Sequence, residues 1–290
     1  MWYLFALLSA CASALRRTSE KQLSHKLNYV TIGWVMQLCS LPVITFAQLL
    51  FGRWFSPSQL GVGFWLPTLL ASAVLYPLYM YFYINAIRQG ELSKVLPLQS
   101  LTPIFILIVG RIFISQTPTP LAVLSILIVA LGIYVLNLKG RYLHSPLKIF
   151  SGDKANALML AGGIIIAIAG TCDKLAMQRS DSIYYSLVST ILSFVTLFVI
   201  SCVQKVNDIA TIKKLVKLLA ISGTLSGVSF LFYALALRTG PLAYISTLKS
   251  TSILMGSLLG VLYFKEKLTK PKVIALLLIA LGSVLLGLVA

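Results

Sequence analysis

Scanned with a window of about 19 residues, the chain resolves into ten apolar runs separated by short polar connectors. The runs lie near residues 2–22, 29–51, 65–87, 95–115, 119–138, 155–177, 183–204, 217–238, 243–263 and 271–289. Each approaches the roughly 20 residues that a helix needs to cross a bilayer. The longest connector, NLKGRYLHSPLKIFSGDKAN at 137–156, holds Gly, Pro and basic residues and divides the runs five and five. The pattern predicts an all-α polytopic membrane protein with ten transmembrane helices.

The first run raises a separate question, because Leu8-Ser9-Ala10-Cys11 spells the tetrapeptide at which bacterial lipoproteins are clipped and lipidated. A cleavable signal carries its basic residues before the apolar core, whereas Arg16, Arg17 and Lys21 follow it here. The expectation is a first transmembrane helix that continues through Ala14 and Leu15 into the polar turn Arg16–Glu20.

Sliding the chain on itself uncovers an internal repeat. FYINAIRQGEL at 82–92 aligns without a gap on FYALALRTGPL at 232–242, an offset of 150. The same offset carries Ser100 onto Ser250, Gly110 onto Gly260, Thr119 onto Thr269 and the ALG at 130–132 onto the ALG at 280–282. Shared Leu and Ala would mean little in apolar sequence, but aligned Tyr, Arg, Gly and Ser argue for duplication. An odd number of spans per half makes the second half enter the membrane from the opposite side. Two inverted five-helix repeats, 1–146 and 147–290, are therefore expected around a central cavity, forming one folding unit.

With this layout, and with FYALALRTGPLAYISTLKSTSILMGSLLGVLYFKEKLTKPKVIALLLIALG at 232–282 and its weaker first-half copy, the chain resembles the drug/metabolite transporter superfamily of the EamA-domain type. The resemblance implies that spans one, three, four, six, eight and nine surround the cavity. It departs at the L-G-E that often ends the fourth or ninth span, where this chain has Ser115-Gln116-Thr117 and Lys265-Glu266-Lys267.

Composition agrees with the periodicity. The chain is 58% hydrophobic and 11% charged, with a mean hydropathy of +0.93, which excludes an ordinary soluble domain. Its net charge of +17 would suggest nucleic-acid binding in a soluble protein. Here the basic residues sit in connectors, so a membrane surface explains them and no nucleic-acid partner is expected. Lys and Arg crowd the odd-numbered connectors, leaving Arg53, Arg111, Lys174, Arg179 and Arg238 on the other side. By that bias the odd connectors are cytoplasmic and both termini lie outside, in a bacterial inner membrane. The resemblance alone implies the opposite, with both termini inside. Cys11, Cys39, Cys172 and Cys202 lie in apolar runs without C-x-x-C spacing and read as small apolar fillers.

Candidate binding or gating residues are the polar groups placed inside apolar spans. Lys249 lies several residues inside span nine, where an uncompensated charge costs about 3 kcal/mol. Asp173 lies at similar depth near the end of span six, so the two are expected to pair across the cavity. The alternative is that Lys249 snorkels to headgroups while Asp173 caps its helix. The offset of 150 matches Gln99 to Lys249. Glu20, one turn from Arg16 and Arg17, is expected to form a local salt bridge at the inner mouth.

Ser72, Tyr76, Tyr79 and Tyr83 share one helical face, and the positions 150 later are Ser222, Ser226, Ser229 and Tyr233. Two such stripes suit two cavity walls, or else interhelical hydrogen bonds. Thr102, three residues after Gln99, and Ser252, three after Lys249, extend the pattern. Gly223 with Gly227 and Gly256 with Gly260 are G-x-x-x-G steps expected to pack helices closely, and Pro97 and Pro103 permit a bend in span four.

Function follows from these placements. Small multidrug exporters of related fold carry an acid in the middle of helix one, where this chain offers Ser9, Cys11 and Ser13. A cationic-drug antiporter is disfavoured, and Arg16, Arg17 and Lys249 lean toward an anionic or zwitterionic metabolite. His25 and His144 lie in connectors, and the sequence holds no phosphate-binding loop or metal-ligand cluster. An enzyme is not expected, nor is a cofactor. The reading is a secondary transporter working by alternating access on a small polar substrate within a lipid bilayer; the alternative is a non-transporting scaffold or accessory subunit on the same fold. Coupling ion and oligomeric state stay open.

Overall fold

A computed structural model describes residues 1–89, 98, 101–115, 118–137, 154–206, 209–252, 255 and 270–289; the side chains of 17, 18, 21, 136, 137, 270–272 and 289 are outside the description. Every described element is helical. They are α1 (Trp2–Ser24), α2 (Tyr29–Phe51), α3 (Pro57–Leu69), α4 (Tyr76–Gln89), α5 (Thr102–Ile114), α6 (Pro120–Asn137), α7 (Lys154–Met177), α8 (Ser182–Val203), α9 (Ile209–Lys214), α10 (Val216–Thr239), α11 (Leu242–Ser250) and α12 (Lys270–Val289). A π-helical stretch, Leu70–Leu75, joins α3 to α4.

Five stretches are long and apolar enough to cross a membrane: Tyr29–Phe51, Pro57–Gln89, Lys154–Met177, Ser182–Val203 and Val216–Thr239. Shorter apolar helices at Trp2–Arg16, Thr102–Ile114, Pro120–Val135 and Val273–Leu288 complete an integral membrane protein. The outer surface is strongly apolar, as a lipid environment favours, and polar side chains are buried within a largely apolar core. Ser9, Ser40, Ser72, Ser193 and Ser229 are buried, while Phe46, Leu66, Ile112 and Leu277 face outward.

Helix ends follow local chemistry. Asn28 and Asp181 accept hydrogen bonds from the Val30 and Ile183 amides and so start α2 and α8. The third apolar run was expected to begin near 65, but helix starts at Pro57 behind a Ser56/Gln59 capping box. Gly61, at φ 59°, breaks this first turn in a conformation that suits glycine. Pro67 and Pro77, which lack amide donors, bracket the π stretch; there the Leu70 amide is shared between the Leu66 and Pro67 carbonyls. The short α9, IATIKK, was not expected, being too brief for an apolar scan to register.

Packing is pairwise. α1 lies on α10, α4 and α5 on α7, α2 on α8 and α10, and α6 on α12. Glycine sets the closest approach: a Cβ on Gly227 would stand 3.0 Å from the Ser40 carbonyl oxygen, and one on Gly223 2.8 Å from that of Met36. The Ser40 hydroxyl uses this proximity to donate to the Gly223 carbonyl at 2.8 Å. Gly256 and Gly260 lie outside the described residues, as do Pro97 and most of the connector at 137–156.

Two ends of the bundle are distinct. At one, Trp2 meets the Gly240 turn and Tyr244, and Tyr3 lies against Gly287 of α12, so both ends of the chain gather there. This is called the terminal end. There Lys174, 9% exposed, donates to the Leu237 and Gly240 carbonyls and caps α10. At the other, Arg88 donates to the Ser24 and Leu27 carbonyls, capping α1 at 3.2 and 2.8 Å. Thr31 bonds the Val206 carbonyl there, beside Lys205. This is called the basic end.

Candidate functional site

A cavity of about 240 Å³ runs through the middle of the bundle, walled by residues from α1, α2, the π stretch, α4, α5, α7, α8, α10 and α11. At its basic end, Arg16 Nη1 lies 2.7 Å from Glu20 Oε1, a pair one turn apart on α1. Tyr76, Tyr79 and Tyr83 of α4 face Arg16, and the last two stack at 5.5 Å between ring centroids. Arg16 Nε and Glu20 Oε2 are buried without a hydrogen-bond partner among the described residues.

At the terminal end, the Asp173 carboxylate of α7 accepts a hydrogen bond from the Tyr185 hydroxyl of α8. Lys249 of α11 places Nζ 4.4 Å from the Tyr233 ring centroid, a cation–π geometry, and is near enough for its charge to act on Asp173. Asp173 is therefore no helix cap; that role at the start of α8 falls to Asp181.

Hydroxyls line the middle. Ser13 and Ser229 are 2.7 Å apart, and Ser9 donates to the Ser229 carbonyl at 2.8 Å, so the lipobox-like segment is packed into the α1–α10 crossing. Ser72 donates to Ser189 at 2.8 Å, and Ser193 donates to the Ser72 carbonyl at 3.0 Å. Thr102 Oγ1 and Ser252 Oγ, 150 residues apart, both line the cavity and have no partner among the described residues.

Of the residues singled out from sequence, Arg16, Glu20, Tyr76, Tyr79, Tyr83, Thr102, Asp173, Ser226, Ser229, Tyr233, Lys249 and Ser252 all line this one cavity. Gln99 and the Arg17 side chain lie outside the described residues. Ser222 is buried but is not part of the lining. The six-span wall implied by the resemblance needs correcting: α2 contributes Gln37 and Ser40, and α8 contributes Ser189, Thr190 and Ser193. Their signal was spacing, since 37/40 and 189/193 are i, i+3 and i, i+4 pairs, but isolated hydroxyls are common in membrane helices. Ser246 and Ser250 of α11 were likewise missed.

Chemically, the cavity offers an acid and a base at each end with hydroxyls between. Among the described residues no cluster of three or more His, Cys, Asp or Glu is placed to hold a metal.

The cavity sits in a polytopic helical membrane protein, and the family match places that protein in the class of membrane transporters. This chain is a member of the EamA-like transporter family, whose model matches residues 1–138 and 153–288. It is similar to an "Uncharacterized transporter in cobO 3'region" from Sinorhizobium sp, at 39% identity over 69 residues, which are 24% of this chain and 49% of that one. The match thus spans about half of that relative's length. A crystal structure described only as "Crystal structure of protein" superimposes with a TM-score of 0.74 at 16% identity, over 100% of this chain and 96% of that one. At that identity the likeness speaks for the fold alone.

Proposed function

We propose that the protein is a secondary transporter that carries a small anionic or zwitterionic metabolite by alternating access between two inverted five-span halves, 1–146 and 147–290. The observation that carries the reading is the placement, in a cavity with charge at both ends, of polar atoms that have no partner among the described residues. Arg16 Nε, Glu20 Oε2, Thr102 Oγ1 and Ser252 Oγ are buried donors and acceptors that a polar solute would satisfy. A buried polar group without a partner costs roughly 1–3 kcal/mol, and a bound substrate recovers that cost. The substrate's anionic group would lie toward Arg16 or Lys249, and any ammonium toward Glu20 or Asp173.

The packing supports the repeat. The first span of one half lies on the third span of the other, as α1 on α10 and as α4 on α7, while α2 with α8 and α6 with α12 pair like with like. Tyr83 and Tyr233, 150 residues apart, line opposite ends of the cavity, as the inversion requires. In this reading the basic end faces the cytoplasm, because Lys205, Lys213, Lys214 and Lys217 lie there between the end of α8 and the first turn of α10. No step uses a cofactor, and the solute is the partner.

Uptake and counterflow in proteoliposomes holding the purified protein, run against amino acids, organic anions, sugars and nucleotides, test the reading. Saturable uptake of an anionic or zwitterionic solute is the expected result. Inert vesicles across the panel would instead favour a scaffold on the same fold.

A further inference from the structure

A second cavity, of about 130 Å³, lies at the terminal end between α5 and the start of α11, walled by Leu107, Gly110, Pro118, Pro241, Ala243 and Tyr244. One further residue, Ile106, lines both this cavity and the central one, and it is only 4% exposed. The two spaces share their walls as well. On α5 the face Thr102, Ile106, Gly110 repeats every four residues, with Thr102 in the central cavity and Gly110 in the second. On α11, Ala243 and Tyr244 line the second cavity, and Ser246 and Lys249 line the central one a turn further on.

Resting on the transport reading above, we infer that the second cavity is the antechamber through which substrate passes at the terminal end, and that Ile106 is the gate residue dividing it from the binding site. An apolar side chain at a constriction bars polar solutes and ions by excluding water, and it yields when the helices beside it separate. With Thr102 and Lys249 on one side and Leu107, Gly110, Pro118 and Tyr244 on the other, Ile106 marks the step from a site that carries charged side chains to a passage lined by none among the described residues. Its partner wall is the first turn of α11, which Pro241 precedes and Trp2 braces through Tyr244. Parting α5 from that turn opens the passage.

The test is sided labelling of Thr102→Cys in the full chain, with Cys11, Cys39, Cys172 and Cys202 each replaced by Ala. Oriented proteoliposomes are exposed to a charged, membrane-impermeant methanethiosulfonate reagent on the terminal face. Adding Ile106→Ala is expected to speed labelling by roughly tenfold and Ile106→Trp to slow it by roughly tenfold, since the barrier is the apolar plug. Ile106→Leu should leave the rate within about twofold, because volume and polarity are kept. Equal rates in the Ala variant and the parent would overturn the gate even if the Trp variant failed to fold. Gated labelling in a protein that moves no solute would leave the passage standing and sink the transport reading instead; saturable transport with ungated labelling would do the reverse.

Discussion

The two ends of the central cavity solve the same problem differently. At the basic end, acid and base sit on one helix: Glu20 and Arg16 are one turn apart on α1 and bonded to each other at 2.7 Å. At the terminal end, Asp173 belongs to α7 and Lys249 to α11, and each is engaged by a tyrosine from a third or fourth helix, Tyr185 of α8 and Tyr233 of α10. A pair on one helix keeps its geometry however the helices move, so Arg16–Glu20 is a fixed charge. Groups on separate helices change their separation with every tilt. In the transport cycle proposed above, helix motion and ligand charge are coupled at the terminal end, while the basic end holds its charges on one helix.

That contrast can be broken most forcefully at Asp173 and Lys249. Asp173→Asn and Lys249→Met should each lower uptake by roughly 100-fold, the equivalent of about 3 kcal/mol for one mispaired intramembrane charge. The exchange Asp173→Lys with Lys249→Asp should recover part of the loss, measured by initial uptake rates at equal reconstituted protein. Failure of the exchange to recover any rate would mean that the two groups act independently.

Next in size is the fixed pair. Glu20→Gln leaves the Arg16 guanidinium, 24% exposed, without its carboxylate and should lower stability by roughly 2 kcal/mol, read as a drop in detergent melting temperature. The swap Arg16→Glu with Glu20→Arg should restore the melting temperature, because the i, i+4 geometry survives reversal. The smallest expected effect is Tyr185→Phe, which removes one hydrogen bond to Asp173 and should reduce apparent affinity by roughly tenfold, leaving melting nearly unchanged. A large melting loss in this variant would show that Tyr185 holds the helices rather than the carboxylate.

These two ends were not equally legible in the sequence. The tyrosine face of α4 announced itself through spacing, and Arg16–Glu20 through one-turn separation, because both are properties of a single helix. The offset of 150 likewise made Tyr233 conspicuous, and three-residue spacing from Gln99 and Lys249 did the same for Thr102 and Ser252. Tyr185 was invisible: its partner lies on another helix, and nothing in SIYYSLVST distinguishes it from Tyr184. The hydroxyls of α2 and α8 were obscured for a related reason, since a serine facing a cavity and one facing a neighbouring carbonyl look alike in sequence. Ser40 shows the overlap, lining the cavity while it bonds Gly223. The π stretch stayed hidden because Pro67 and Pro77 mark a disturbed helix without stating which way the disturbance resolves.

Lys174 carries one more consequence. It follows Asp173 directly, so the two side chains leave α7 about 100° apart, one toward the central cavity and one into the carbonyls that end α10. Such an arrangement works like a key in a shaft. Rolling α7 about its own axis would withdraw Lys174 from its slot and strip α10 of its cap. Tilting or sliding with the key seated would carry the end of α10 along, which in the proposed transport cycle makes the acid-bearing helix and its neighbour one lever.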